Sequence, residues 1–202
     1  MISFSEIDTT VKRAARASGM SWGISEEIGK NIRLLEMFGL PGVKNISAYL
    51  KIYKKNLFEE IKNFEKSSKP KKYFCPLISG VNFMDQAISI SELNELEIKQ
   101  MAFPLLFLPY ISRSSEIIGK RIFLKIDDKE FLFNFNQSIY SNYLSGNIIE
   151  KSNHIEIKFI ENQDTFSEDE WKDLYKLSEQ TFVEENDILK EKGAGAGLTD
   201  ND

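Results

Sequence analysis

An α+β fold, with an N-terminal helical layer packed on a small, mainly antiparallel sheet and a C-terminal helix with an extended tail, is what this sequence predicts. Three observations carry it. The first 66 residues hold apolar stripes at helical spacing, residues 121–160 alternate apolar and polar side chains in short runs, and a capping sequence at 167–170 opens one more helical stripe.

Ser3 and Glu6 have the spacing of a capping box and Ile2 and Ile7 that of a hydrophobic staple, so a helix starts there. Its stripe of Ile7, Val11, Ala14 and Ala15 runs until GMSWG (19–23) interrupts it with two glycines. A second helix is expected from about Ser25 to Phe38, with Ile24, Ile28, Ile32 and Leu35 facing inward and Gly39 before Pro41 as its stop. The spacing of Ile46, Tyr49, Leu50, Tyr53, Leu57, Ile61 and Phe64 predicts a third, longer helix over 44–66. SSKPKK (67–72) then reads as a connection, after which the character of the chain changes.

The sheet-rich part is expected over 73–160. Short apolar runs lie around 73–83 and 101–111, and a weaker helical stretch near 85–98 separates them. FPLLFLPY (103–110), bounded by prolines, suggests a sheet edge or a bent segment. RIFLKI and EFLFNF flank Asp127 and Asp128 as a β-hairpin, and HIEIKFI (154–160) adds a strand. Ser167 with Glu170 forms a capping box, bracketed by Phe166 and Trp171, for a helix over 167–182. Residues 1–190 read as one domain and 191–202 as a flexible or inserting tail.

Composition narrows the chemistry. With a net charge of -5 the chain lacks the dense basic face that tracks phosphates, so no nucleic-acid partner is expected. The charge is uneven, since residues 1–72 carry 14 Lys/Arg against 8 Asp/Glu and the remainder 12 against 23. MISFSEIDTT is not a signal peptide, and the longest apolar stretch, MAFPLLFLPYI, is too short to span a bilayer. A cytoplasmic protein without a membrane partner is therefore expected, and the single cysteine, Cys75, agrees with that compartment. One histidine and one cysteine leave no metal site of the usual nitrogen and sulfur ligands. His154 falls on the polar side of its strand, and Cys75, before a proline, reads as a small buried side chain. No cofactor motif is present: GAGAG near the end has neither the strand before it nor the helix behind it that a phosphate-binding turn needs.

Three stretches remain as candidates. AARASGMSWGISEEIG (14–29) forms a helix corner that presents Ser21, Trp22 and Glu26 or Glu27 beside the arginines, for a small polar ligand or a peptide; equally, Trp22 plugs the corner and the serines cap the helix. PLISGVNFMDQA (76–87) carries Asp85, which can act as a base, or as part of a turn and cap. KGAGAGLTDND (192–202) is either a solubilising end or a narrow strand for a groove, with Arg13, Arg16, Lys30 and Arg33 as cations to meet its acids.

Together, AARASGMSWGISEEIGKNIRLLEMFGLPG, CPLISGVNFMD, FPLLFLPY and GAGAGLTDND resemble a bacterial family known as a domain of unknown function. The resemblance implies no catalytic residues. It does imply a role for the tail, at Gly193, Gly195, Gly197, Asp200, Asn201 and Asp202, because the family's members end in the same way. The expectation is a cytosolic accessory or small-molecule- or peptide-binding protein. Its tail and Ser-Trp-Gly corner, through Arg16, Ser21, Trp22 and Arg33, engage a protein partner or a neighbouring subunit. The alternative is a small carboxylate-dependent enzyme of isomerase or lyase type acting on a small anionic metabolite, with Glu26, Glu27 and Asp85 as acid or base and Arg16 or Arg33 holding the anion.

Overall fold

The computed structural model describes residues 2–54 and 56–182, and the tail residues Gly193 to Asp202 lie outside that range. It divides into two units, 1–162 and 163–202, each treated by itself below.

The first unit begins with three helices. α1 (Phe4–Ala17) is capped by Ser3, whose Oγ accepts from the Glu6 amide at 3.1 Å. α2 (Trp22–Met37) starts three residues earlier than the apolar stripe suggests, because Ser21, not Ser25, is its cap. Ile28, Ile32 and Leu35 of α2 are fully or almost fully buried, which makes it the central helix of the layer. α3 (Gly42–Ile52) is much shorter than the expected 44–66.

The reason lies outside the segment itself. Ile61 and Phe64 are buried as the stripe demands, but as anchors of an irregular loop. Polar side chains of α4 (Pro76–Asp85) and of Gln86 after it hold that loop's backbone. Ser79 Oγ accepts from the Ile61 amide at 3.0 Å, Asn82 Nδ2 donates to the Ile61 carbonyl at 2.8 Å, and Gln86 binds Lys62 and Phe64. Backbone groups satisfied in this way have no need of a helix ladder, so long-range partners override local periodicity.

α5 (Ala87–Ser91) follows, and the sheet then forms from β1 (Ser67–Ser68), β2 (Glu95–Ala102), β3 (Arg121–Ile126), β4 (Lys129–Phe133), β5 (Ile139–Ser141) and β6 (Lys151–Ile160). The strand order is β1-β2-β6-β3-β4-β5, antiparallel throughout except for β1 beside β2. The expected hairpin is β3–β4, and HIEIKFI lies in β6, inserted between β2 and β3 in the middle of the sheet. Ile98, Ile155 and Ile126 stand in register across the buried face, as do Leu96, Ile157 and Leu124. Glu97, Glu156 and Lys125 line up on the opposite, charged face. The fold is thus α+β, with N-terminal helices before a mostly antiparallel sheet.

FPLLFLPY is not a sheet edge. Pro104–Phe107 is a 3₁₀ turn, and α6 (Leu108–Ile118) follows with Pro109 in its first turn, where a missing N–H costs nothing. Every residue from Met101 to Ile111 is buried. An uninterrupted apolar run has no period, so it fits a buried helix as well as a strand. Gly80 of α4 decides how α6 packs: a Cβ there would lie 2.3 Å from Cδ2 of Tyr110, so only glycine lets the ring rest on the helix backbone.

In the second unit, α7 (Glu168–Ser178) has the capping box complete. The Ser167 amide donates to Glu170 at 2.7 Å, the Glu170 amide donates back to Ser167 Oγ at 3.2 Å, and the Phe166 and Trp171 rings stack at 5.6 Å. Trp171, Leu174 and Leu177 on this helix are exposed. No helix among the described residues is long and apolar enough to cross a membrane.

Candidate functional site

The corner between α1 and α2 is tight because Gly19 takes a left-handed φ of 93°, at a place where an added Cβ would meet nothing within 4 Å. Met20, not Trp22, fills the corner, with only 4% of its surface exposed. Trp22 stands out at 60% exposure, and the Arg16 guanidinium lies 5.2 Å from its ring centroid. Arg16 also donates from Nη1 to the Met20 carbonyl at 2.7 Å, so one side chain ties the turn and braces the indole. Ser21 caps α2, although its bond from the Ile24 amide is long at 3.4 Å.

Beside this corner opens a cleft of about 620 Å³. One wall is Ser18 to Ser21 with Ile24; the other comes from the loop after α3, with Tyr53, Phe58 and the charged residues Lys54, Glu59, Glu60 and Lys62. Cys75 and Ile78, at the start of α4, close it. Cys75 is the N-cap of α4, its Sγ accepting from the Ile78 amide at 3.4 Å and lying 3.1 Å from Tyr49 Oη. Burial pushes its thiol well above the usual range, despite the hydrogen bonds that favour the thiolate. It is a structural cap and not an activated nucleophile.

The loop residues of this cleft escaped the sequence reading, which placed them in a long helix. A signal was available in Asn56, a residue type poor inside helices and tolerant of the left-handed φ of 68° that it adopts in the loop.

The candidate carboxylates do not converge. Glu27 points from α2 to α6, where Arg113 pairs with it, and Lys30 binds it from the same helix at 3.0 Å. Burial raises its pKa, but these two cations outweigh it and leave the carboxyl below its ordinary range. Arg113 also donates to Asn31 Oδ1 at 3.2 Å. On the same two helices, Asn31 Nδ2, Tyr110 Oη and Ser114 Oγ are buried without a partner of good hydrogen-bond geometry among the described residues. Burial raises the Tyr110 hydroxyl's pKa, and Asn31 is near enough to oppose part of that rise. Glu26 and Arg33 are exposed on α2, and Asp85 is exposed at the last turn of α4. The four best-formed cavities among the described residues are lined by none of Glu26, Glu27, Asp85, Arg16 and Arg33. Ser21 is the candidate that reaches the main cleft.

His154 lies on the charged face of the sheet, its Nε2 2.6 Å from Glu97. Among the described residues no group of three or more His, Cys, Asp or Glu is placed to hold a metal ion. Gly193, Gly195, Gly197, Asp200 and Asp202 fall outside the described residues.

Residues 2–75 match the model of a family described as Protein of unknown function (DUF3726). The match bears out the resemblance to a family of unknown function, and it takes in the whole corner and every lining residue of the cleft but Ile78. No curated protein and no solved structure matches the chain.

Proposed function

We propose that this chain is a cytoplasmic binding protein that receives a small molecule or a peptide at the α1–α2 corner. Through that corner and the tail Gly193 to Asp202 it engages a protein partner or a second copy of itself. The observation that carries the reading is the cleft. Its volume of about 620 Å³ is in the range that encloses small ligands, and its walls mix apolar side chains with a few charged and hydroxyl groups. Next to it in sequence stands an exposed tryptophan braced by an arginine, the residue types that most often carry binding energy at protein surfaces. A buried, unpaired Cys75 is consistent with a reducing compartment.

The test uses the full chain, its Trp22→Ala variant and a chain ended after Lys192. Amide spectra are recorded against a library of metabolites and short peptides, and mass in solution is followed by light scattering. The expected result is a saturable ligand that shifts the amides of Ser18 to Ile24, and loss of an assembly in one or both variants. The reading is overturned if no ligand shifts those amides and all three chains have the same number of subunits in solution.

A further inference from the structure

We infer that the ligand of the corner cleft is a short zwitterion with an apolar side chain, of the class of a free dipeptide. The inference rests on the cleft being the binding site, and it comes from the distribution of charge around it. Met20, Ile24, Phe58 and Ile78 supply apolar surface, and Tyr53 adds an aromatic ring. Around them stand cations of both Lys54 and Lys62 and the carboxylates of Glu59 and Glu60.

Lys54, Lys62, Glu59 and Glu60 enter no ion pair among the described residues. Glu59 accepts from the Lys72 amide at 2.6 Å, a neutral donor that leaves its charge in place, whereas no hydrogen bond among the described residues engages the Glu60 side chain. Among the described lining residues, two cations and two carboxylates are thus available to a guest, Glu60 being the less occupied carboxylate. A wholly apolar guest would cover them without replacing their water, which is costly. A simple anion leaves Glu60 facing like charge, and a simple cation meets two lysines. A zwitterion answers both signs at once: its carboxylate meets the lysines and its ammonium meets Glu60. Ser21 Oγ only accepts in the cap, so its hydroxyl proton can donate to a peptide carbonyl, while Ser18, whose proton goes to the Ala14 carbonyl at 2.9 Å, offers an oxygen that can accept from a peptide N–H.

The experiment is a titration of the full chain with the dipeptide Leu-Phe, its N-acetyl derivative and its C-terminal amide, read by amide spectra and calorimetry. Leu-Phe is expected to shift the amides of Ser18 to Ile24 and Ile78. Blocking either end is expected to weaken binding by roughly tenfold or more. In a Lys54→Gln/Lys62→Gln variant the acid and the amide should bind alike, and in Glu60→Gln the free and acetylated amines should bind alike. All three side chains are exposed and none forms a described ion pair, so these variants keep the fold. Two results overturn the ligand class and leave the binding reading standing: equal affinity for all three peptides at the cleft, or cleft shifts produced only by library compounds of other charge. If neither the peptides nor the library shift the cleft amides, the ligand class falls together with the cleft as a ligand site, and the light-scattering comparison decides the assembly half of the proposed function.

Discussion

Gly19 and Gly80 stand in similar text, a run of small or apolar residues broken by glycine, yet they serve opposite ends. A Cβ at Gly80 would lie 2.3 Å from the Tyr110 ring, whereas one at Gly19 would meet nothing within 4 Å. Gly80 closes a seam between α4 and α6; Gly19 turns the chain so that a corner stays open. None of the four cavities is lined by Gly80 or Tyr110, and the corner borders the largest of the four. A glycine kept for packing marks the rigid interior, and a glycine kept for its backbone marks the edge where a ligand can enter.

Substitution separates the two directly. Gly80→Ala is expected to cost about 3 kcal/mol in urea unfolding, the upper part of the overpacking range, because a rigid buried ring must move. Combining it with Tyr110→Leu should recover part of that loss; simple additivity would show that the ring contact is not the cause. Gly19→Ala has room, so only the left-handed backbone resists it, and the expected cost is about 1 to 2 kcal/mol. Gly19→Asn should cost less than Gly19→Ala, and the reverse order would contradict a purely backbone origin.

The smallest effect is electrostatic and carries a pH signature. The Glu27–Arg113 pair braces the α2–α6 side of the seam, and its partial exposure lets solvent screen it. Glu27→Gln is therefore expected to lower stability near neutral pH by only about 0.5 to 1 kcal/mol. Since the folded carboxyl titrates below its ordinary value of 4.5, this contribution is present above that value and lost as pH falls through the folded pKa. The difference between wild type and variant should accordingly vanish in acid, and a difference that persists there would assign the effect to packing.

Much of the outline was legible in the sequence, for reasons that are local. Ser3 and Ser167 cap helices because a hydroxyl one residue ahead of a helix meets a free amide whatever the rest of the chain does. RIFLKI and EFLFNF form a hairpin because alternation with a period of two gives one buried face. The site was legible only in part. The corner was found through its glycines, while Tyr53, Lys54, Phe58 and Lys62 were hidden in a helical spacing that α4 cancels from a distance.

What the sequence determined by itself was the class of fold, the position of the corner, the polar face of His154 and the buried character of Cys75. Each follows from side-chain periodicity or from capping chemistry within a few residues. Only the tertiary structure decided that FPLLFLPY is helical, that β6 sits in the middle of the sheet, that Glu27 belongs to Arg113, and that the loop after α3 walls a cleft. Those outcomes depend on which distant groups satisfy a backbone amide or share a buried face, and no local pattern encodes a partner that lies elsewhere in the chain.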